Sequence, residues 1–391
     1  MDLNEIRAHI DDVDDQLVKL FEERMHLTAD VAAYKKENNL PVLDEERERA
    51  KLTDIASKSS EELRGYIRML YEYIFNISRT QQSQILHPAS AGCPIWDVIA
   101  DAIENTPKLF PARASVQGKP RVACQGTWGA YSQHAADKLF GKPEIFFVST
   151  FESVFNAVEK GLCDYGIVPA ENNTAGSVRR VYDLMTEKRF RIVRAIRVKI
   201  DHALLALPGT KKEDIREIVS HEQALAQCAE FLQKEFPNAK LTAYENTAKA
   251  AEYVSKSGRA DLAAIGSPDC AKLFGLTCLS ENIQVSDNNR TRFFCISKKL
   301  EIYPGADRTS LMLRLPNEPG SLYHVLSRFN AHGINLIKLE SRPIPTTDFA
   351  FLFCFEVETT VYSEDFACLI RELSEDLGDD FRYLGSYAEV Q

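Results

Sequence analysis

The chain has 391 residues, which is too long for one ordinary hydrophobic core and indicates two or three domains. Hydrophobic residues make up 45% and charged residues 27%, as is typical of a soluble globular protein. The excess of 57 acidic over 47 basic residues gives a net charge of −10, which disfavours nucleic acid or an anionic membrane as a partner. An anionic substrate therefore requires a local cluster of cations.

The nine cysteines lie singly between Cys93 and Cys368, without a Cys-x-x-Cys pair or a Cys/His spacing suited to zinc. We expect reduced thiols, as in a cytosol. The first residues are acidic and amphipathic, and the sequence contains no run of eighteen apolar residues. We therefore expect a cytoplasmic, soluble protein.

Residues 1–86 are predicted to form three helices. Apolar residues recur at three- and four-residue spacing from Leu3 to Val31, which predicts one amphipathic helix that ends before Pro41. At 1.5 Å per residue this helix spans about 55 Å, so its apolar stripe needs a partner chain or a neighbouring domain. Asp44 is the predicted N-cap of a second helix, which runs to about Ser57, and a third runs over about 61–86.

The third helix carries an apolar seam on which a glutamine occupies the next position. The seam consists of Leu63, Ile67, Leu70, Ile74 and Ile77, and the glutamine is Gln81. A glutamine in this position needs a partner, because leaving its polar atoms unsatisfied costs about 1–3 kcal/mol.

Cations on the first helix are spaced for ligand binding. Arg24 and Lys35 share a face about three turns apart, whereas Arg7 lies about 25 Å from Arg24 and on a different side. Arg7 therefore joins the other two only from a second copy of the helix. The segment resembles the small all-helical chorismate mutases, whose intertwined dimers build each site from both chains. The resemblance implies a chorismate site formed by Arg7, Arg24, Lys35, Asp44, Arg47, Glu48 and Gln81.

The rearrangement of chorismate to prephenate is intramolecular, so the enzyme must hold a dicarboxylate in a chair and stabilise charge on the breaking ether oxygen. The arginines suit the carboxylates, and the resemblance implies that Lys35 and Gln81 donate to the ether oxygen while Glu48 holds the substrate hydroxyl. Ile77 stands one turn before Gln81, where the family often has a small hydroxyl residue. The alternative is a helical dimerisation module with solvated arginines.

Residues 87–119 are interrupted by four prolines and read as a linker in which only Ile95–Glu104 is long enough for a short helix. From residue 120 to residue 299, short apolar runs alternate with helical segments in two series. This alternation predicts βαβ units, a mostly parallel sheet, and two lobes with a ligand-binding cleft between them.

The turn Gly126–Ser132 leads from a predicted strand into a helix and is either a plain tight turn or a carboxylate-binding loop. It does not match the dinucleotide pattern, so we expect no nicotinamide cofactor. His202 and His221 stand at the ends of predicted strands. Each is either a histidine at the edge of the core whose ring is hydrogen-bonded by the backbone or a catalytic base.

Thr291-Arg292-Phe293 precedes an apolar run, and Glu171-Asn172 follows another. With Asp201-His202, these motifs resemble prephenate dehydratase. The resemblance implies that the Thr291 hydroxyl contacts the leaving hydroxyl group. The predicted catalytic residues are therefore Lys35 and Gln81 for the mutase and Thr291 for the dehydratase. The predicted prephenate-binding residues are Glu171, Asn172, Thr174, His202, Arg292 and Phe293. Either Arg292 or Arg290 suits the substrate carboxylate, and Phe293 is also predicted to pack beneath the strand. Asn173 replaces a family Ser or Thr, which leaves open which hydroxyl faces the substrate.

Residues 300–391 show the order βαββαβ, which is the ferredoxin-like layout. Together with two further motifs, this order resembles the ACT domain of phenylalanine-regulated dehydratases. The motifs are predicted to bind phenylalanine through Pro319, Gly320, Ser321, Leu322, Glu340, Ser341, Arg342 and Pro343. Glu340–Pro343 are expected to break an apolar strand, and the competing interpretation is a plain dimerisation domain.

The predicted fold is therefore multidomain: an all-α chorismate mutase domain, a two-lobed α/β prephenate dehydratase domain and an α+β ferredoxin-like ACT domain. We expect a bifunctional enzyme that makes phenylpyruvate from chorismate, is inhibited by phenylalanine, forms at least a homodimer and needs no metal or organic cofactor. A dehydratase that prefers arogenate and a catalytically silent amino-acid sensor are the alternatives.

Overall fold

The structure is a computed structural model that describes residues 2–86, 93–111, 118–174, 176–285, 288–344 and 351–391. It divides into two compact units, the first formed by Met1–Asp101 with Arg308–Tyr383 and the second by Ala102–Asp307 with Leu384–Gln391. The sequence analysis treats 1–86 and 300–391 as separate domains, whereas this division groups residues 308–383 with the helical segment and assigns the last residues to the unit that contains the α/β segment. Parts of the predicted linker, residues 87–92 and 112–117, lie outside the described residues.

The first unit begins with the three predicted helices, α1 (Leu3–Glu37), α2 (Glu45–Lys58) and α3 (Arg64–Leu86). The Asp44 side chain accepts a hydrogen bond from the backbone N–H of Arg47 and caps α2, as predicted. Within the predicted linker, the short helix α4 (Pro94–Asn105) is also confirmed. None of the described helices is long and apolar enough to cross a membrane.

The apolar stripe of α1 remains uncovered in the single chain. Leu3 is 62% exposed, Leu20 63% and Leu27 58%. Of the seam predicted on α3, Leu63 and Leu70 are about half exposed in the single chain, whereas Ile67, Ile74 and Ile77 are partly buried. The buried residues of α3 are Phe75, Asn76, Ser78, Thr80, Gln82 and Ser83.

The second unit contains two sheets, as the two series of runs predict. The first sheet has the strands β1 (Arg121–Gln125), β2 (Glu144–Val148), β3 (Tyr165–Asn172), β4 (Gly176–Ser177) and β5 (Arg191–Lys199), with helices α5 (Tyr131–Phe140), α6 (Phe151–Glu159) and α7 (Arg179–Glu187). The second has β6 (Ala203–Ala206), β7 (Glu217–Ser220), β8 (Lys240–Ala243), β9 (Leu262–Gly266) and β10 (Thr277–Ser280), with α8 (Glu222–Gln227), α9 (Ala229–Glu235), α10 (Thr247–Ser257) and α11 (Asp269–Phe274).

Strand β11 (Arg290–Ser297) returns to the first sheet and lies between β3 and β5, antiparallel to both. The sheets are therefore mixed and not mostly parallel, because each contains parallel pairs, such as β1–β3 and β7–β9, as well as antiparallel pairs, such as β3–β11 and β6–β9. The Thr291 motif lies inside β11 and not before it. In the register of β11 with β3, Thr291 stands opposite Asn172, and Arg292 stands opposite Glu171.

The first unit continues with β12 (Arg308–Leu315), α12 (Ser321–Ala331), β13 (Asn335–Pro343), β14 (Phe351–Glu358) and α13 (Glu364–Leu377), and it includes the start of β15 (Phe381–Tyr387) as far as Tyr383. The sheet order is β13-β14-β12-β15, which confirms the ferredoxin-like layout. Glu340–Pro343 do not break a strand, because β13 continues through Pro343 and pairs with β14 to that point.

A last strand, β16 (Glu389–Val390), lies parallel to β5 at the edge of the first sheet of the second unit. The chain reaches this edge through Gly385, whose φ is +141°. A Cβ atom at Gly385 would lie 2.3 Å from the carbonyl oxygen of Ile192, so this close backbone approach requires glycine.

Candidate functional site

Two residues from neighbouring strands of the second unit hold a hydroxyl in place. The amide nitrogen Nδ2 of Asn172 donates to Thr291 Oγ1 at 3.0 Å and to Asn289 Oδ1 at 2.8 Å. A threonine hydroxyl has one proton to donate and two lone pairs that accept. Because the Thr291 oxygen accepts from Asn172, its own proton is directed to another acceptor.

The hydroxyl of Thr174, in the loop after β3, forms hydrogen bonds with neighbouring side chains. Thr174 Oγ1 donates to Asn172 Oδ1 at 2.5 Å and accepts from Gln227 Nε2 at 3.2 Å. Asn173 binds the carbonyl of Asn288 and accepts from the backbone N–H of Arg290 at 2.9 Å, so it ties this loop to β11. Thr291 is therefore better placed than Thr174 to contact a substrate.

The network continues to His202, which is 2% exposed. Its Nε2 lies 2.9 Å from Gln227 Oε1, which also accepts from Asn289 Nδ2 at 3.0 Å. Burial lowers the pKa of His202, although the bond to Gln227 and the charge of Asp201 oppose the shift, so the imidazole is neutral near pH 7. With Nε2 donating to Gln227, Nδ1 is an acceptor, and it has no hydrogen-bond partner among the described residues. The interpretation that the backbone satisfies this ring is wrong.

The start of α5 adjoins the same network. The Tyr131 hydroxyl donates to the carbonyl of Asp201 at 2.6 Å, and its ring meets that of His202 edge to face at 6.3 Å. The N-cap Ala130 has no capping side chain, so the first turn of α5 presents uncapped N–H groups here. Gly129 has φ +85°, and a Cβ there would lie 2.8 Å from Cys270 Sγ, so this turn is packed closely against α11.

Arg292 and Phe293 do not join Thr291 at this network. Successive residues of a strand point to opposite faces, so Arg292 lies on the other face of the sheet, where it is 4% exposed and pairs with Glu171 at 3.5 Å. Its guanidinium also lies over the Phe294 ring at 5.2 Å. Phe293 is buried in the core with Ala135 and other residues of α5, which supports its predicted packing role.

The first unit brings three of the predicted mutase residues together. Arg24 donates to Ser78 Oγ at 2.5 Å, and Lys35 donates to the carbonyl of Val42 at 2.5 Å. Burial lowers the pKa of both cations, and the charge of Glu48 opposes the shift in each case, which places Glu48 near both. Glu48 also pairs with Arg79, a residue that the sequence interpretation missed. Arg7 and Arg47 are exposed in the single chain.

In the single chain, Gln82 lies nearer to the Arg24 contacts on α3 than the predicted Gln81 does. Arg24 contacts α3 at Ser78 and lies over the Phe75 ring at 5.7 Å. At 100° per residue, Gln82 lies about 20° from Phe75 and about 40° from Ser78, whereas Gln81 lies about 120° from Phe75. The Oε1 atoms of both glutamines are buried without a hydrogen-bond partner among the described residues. Ser78 also supplies the hydroxyl that was expected at Ile77, since it precedes Gln82 by four residues.

A chain of polar contacts connects the mutase cluster to α12 within the first unit. Arg79 binds both Glu48 and the side-chain oxygen of Asn76, and Asn76 Nδ2 donates to Ser327 Oγ at 2.9 Å. Asn76 is 3% exposed and Ser327 5%, so this last bond is shielded from water.

The two predicted effector motifs lie at one end of the βαββαβ sheet. Gly320, at φ +93°, precedes the first residue of α12 and follows β12, while Glu340–Pro343 end β13. Leu315, at the end of β12, and Pro343 both pair with Phe351, so only the width of β14 separates the ends of β12 and β13, about 10 Å. Within β13, Arg342 pairs with Glu340 at 3.2 Å.

Comparisons with known proteins match this division of the chain. Residues 122–301 match the family model of prephenate dehydratase, and residues 6–83 match that of type II chorismate mutase. A bifunctional chorismate mutase/prephenate dehydratase of Aquifex aeolicus (strain VF5) is 31% identical over 390 residues, which cover 100% of this chain and 98% of the relative. The chain belongs to the family of bifunctional chorismate mutase/prephenate dehydratases. It therefore carries both enzyme domains.

Two further similarities concern the second domain. An arogenate dehydratase/prephenate dehydratase 1 of Arabidopsis thaliana is 42% identical over 228 residues, which are 58% of this chain and only 57% of the relative's length. The solved structure of a prephenate dehydratase from Arthrobacter aurescens in complex with L-Phe is 28% identical and has a TM-score of 0.63, with 68% of this chain and 89% of that chain covered.

Proposed function

We propose that this chain converts chorismate to prephenate at the helical cluster and prephenate to phenylpyruvate, CO2 and water at the network of the second unit. The hydrogen bond from Asn172 to Thr291 carries the second half of the proposal, because it leaves the hydroxyl proton for the departing group. Family membership supports both halves.

In the dehydratase step, the electrons of the breaking C–COO⁻ bond move into the ring, CO2 leaves, and the ring hydroxyl departs as water. Thr291 donates a hydrogen bond to the departing hydroxyl, and its alcohol pKa is too high for it to supply the proton as a strong acid. The proton that turns the departing hydroxyl into water comes from solvent through a bridging water, and the neutral His202 accepts a hydrogen bond from that water at its open Nδ1. Gaining an aromatic ring drives the reaction.

The carboxylate of the substrate side chain binds at the first turn of α5 in this proposal. The turn adjoins His202 and presents uncapped N–H groups, and the helix dipole adds a partial positive charge. Arg292 faces the other side of the sheet, so it does not clamp this carboxylate. Of the two interpretations of the Gly126–Ser132 turn, we therefore adopt carboxylate binding.

In the mutase step, Arg24 holds a carboxylate of chorismate, and Lys35 and Gln82 donate to the ether oxygen as its bond breaks. Glu48 takes the substrate hydroxyl. Arg7 and Arg47 complete the site in an assembly in which a second chain covers the exposed stripe of α1, which supports a homodimer at least.

Regulation follows from the βαββαβ segment, which we propose to be an ACT domain that binds phenylalanine. Gly320, Ser321 and their neighbours form one half of the effector site, and Glu340–Pro343 form the other. The contacts from Ser327 through Asn76 and Arg79 to Glu48 give the effector a route to the mutase as well. We place the enzyme in the cytoplasm and expect no metal or organic cofactor.

The test is a time course in which purified protein receives chorismate, with and without phenylalanine, while chorismate, prephenate and phenylpyruvate are measured. Formation of phenylpyruvate that phenylalanine slows is the expected result. Accumulation of prephenate would refute the dehydratase assignment, and unchanged chorismate would leave only an amino-acid sensor. The Arabidopsis similarity favours arogenate as a second substrate, so a parallel assay compares kcat/KM for arogenate and prephenate.

A further inference from the structure

The buried arginine of the Thr291 motif is held by a residue from the far end of the sequence. Arg292 is 4% exposed, and its Nε pairs with a carboxylate oxygen of Glu389, which is 5% exposed. The other carboxylate oxygen of Glu389 lies 2.8 Å from Nε of Arg197, which is 44% exposed. Glu389 therefore sits between one buried and one partly exposed cation.

A buried guanidinium depends strongly on its countercharges. Removing one partner of a buried ion pair is strongly destabilising, because the remaining charge is left in a medium of low polarity. Glu171, another acidic partner of Arg292, has a side chain that is 28% exposed, compared with 5% for Glu389. Glu389 is therefore the better-shielded acidic partner.

Arg292 lies directly beside the proposed catalytic hydroxyl in the same strand. It precedes the irregularity in the β3–β11 register, and its opposite residue Glu171 adjoins Asn172, the donor to Thr291. If the Arg292 side chain shifts, it therefore displaces both β11, which carries Thr291, and β3, which carries Asn172. Displacements of about 1 Å at a reacting group can cost a hundredfold in rate.

The backbone holds Glu389 in this position independently of its charge. Glu389 and Val390 pair with Ala195 and Ile196 of β5, and the N–H of Ala195 donates to the carbonyl of Ala388 at 3.1 Å. Just before this strand, the Tyr387 ring packs against Phe294, the residue that also lies under the Arg292 guanidinium. The position of the Glu389 carboxylate is therefore set by the backbone pairing of β16 with β5.

We propose that Glu389 is a positioning residue of the dehydratase site, contributed by the segment that follows the βαββαβ sheet. It fixes Arg292, and through the paired strands it fixes Thr291 opposite Asn172. The proposal rests on the dehydratase function proposed above, and neither family model includes residue 389.

The test compares Glu389→Gln with Glu389→Asp in the full chain, with prephenate as substrate. We expect Glu389→Gln to lower kcat about 10- to 100-fold with KM within about twofold, since Thr291 acts on the departing group and not on substrate binding. Glu389→Asp keeps the charge and should recover part of the lost kcat. Chorismate mutase activity, measured on the same samples, should stay unchanged.

Arg197→Gln is the matched control, because it removes the more exposed partner of the same carboxylate. It should keep kcat within about twofold, as is usual for exposed ion pairs. A kcat of Glu389→Gln equal to that of the wild type would overturn the proposal. Equal losses of kcat in Glu389→Gln and Arg197→Gln would also overturn it, because they indicate a general structural role.

Thermal unfolding of each variant distinguishes a folded, slow enzyme from an unfolded one. If Glu389→Gln does not fold, Glu389→Asp provides the comparison of kcat with KM. A wild-type chain that is inactive on prephenate would instead refute the proposed function.

Discussion

Replacing Thr291 with valine removes the proposed hydrogen-bond donor while keeping the shape of the side chain. The change leaves Asn172 Nδ2 with two other acceptors, Asn289 Oδ1 at 2.8 Å and the carbonyl of Arg290 at 3.2 Å. The lost hydrogen bond therefore costs stability of only about 0.5–1.5 kcal/mol. The departing hydroxyl loses its donor altogether, so we expect kcat on prephenate to fall about 100- to 1,000-fold, which is about 2.7–4 kcal/mol of transition-state stabilisation.

The assay follows phenylpyruvate from prephenate, and chorismate consumption in the same preparation shows that the chain is folded. Thr291→Ser restores a hydroxyl and should recover most of the activity, whereas Thr174→Val should have a smaller effect because that hydroxyl bonds within its loop. If Thr291→Val keeps kcat within about threefold of the wild type, the assignment of the donor is wrong.

The remaining predictions concern the mutase and the buried histidine. Gln82→Ala should lower mutase kcat about 100-fold or more and Gln81→Ala less than about fivefold, and a reversal of this order in steady-state assays would restore Gln81 as the donor. Since burial lowers the Lys35 pKa from the ordinary 10.5, mutase kcat/KM should fall on the alkaline side below pH 10.5, and Lys35→Arg should remove that limb of the pH profile. Since the pKa of His202 is lowered from 6.5 in the folded chain, the unfolded chain binds more protons as pH falls below about 6.5, and the free energy of unfolding should fall with it. In denaturant titrations, His202→Gln should lose less free energy of unfolding between pH 7.5 and pH 5.5 than the wild type does. An equal loss in the two proteins would contradict this assignment of the pH dependence to His202.

Local periodicity was sufficient to predict the helices, the two α/β series and the βαββαβ order, because each depends on residues close together in the sequence. The placement of Thr291 beside Asn172 was anticipated only through family resemblance. Its physical basis, the β3–β11 register, joins strands more than a hundred residues apart. Gln227 gave no local signal for the same reason.

For two predicted residues, the structure places the side chain on a different face from the one expected. Arg292 was grouped with Thr291 through the family motif, in which the two residues are adjacent, whereas inside a strand neighbouring side chains point to opposite faces. Gln81 was chosen because it continues an apolar seam, but the contacts of Arg24 with α3 define a different face, on which Gln82 lies. Both faces are set by tertiary packing, which no spacing in the sequence reports.

The pairing of β16 with β5 has a consequence for the order of folding. It joins Glu389 to Ala195, about 190 residues earlier, so it closes a loop that contains the second sheet and the whole βαββαβ segment. Such long-range pairings form late, because the loop entropy must be overcome before their contacts contribute. During refolding from denaturant, mutase activity should therefore return first, and dehydratase activity should appear only when this last strand has docked.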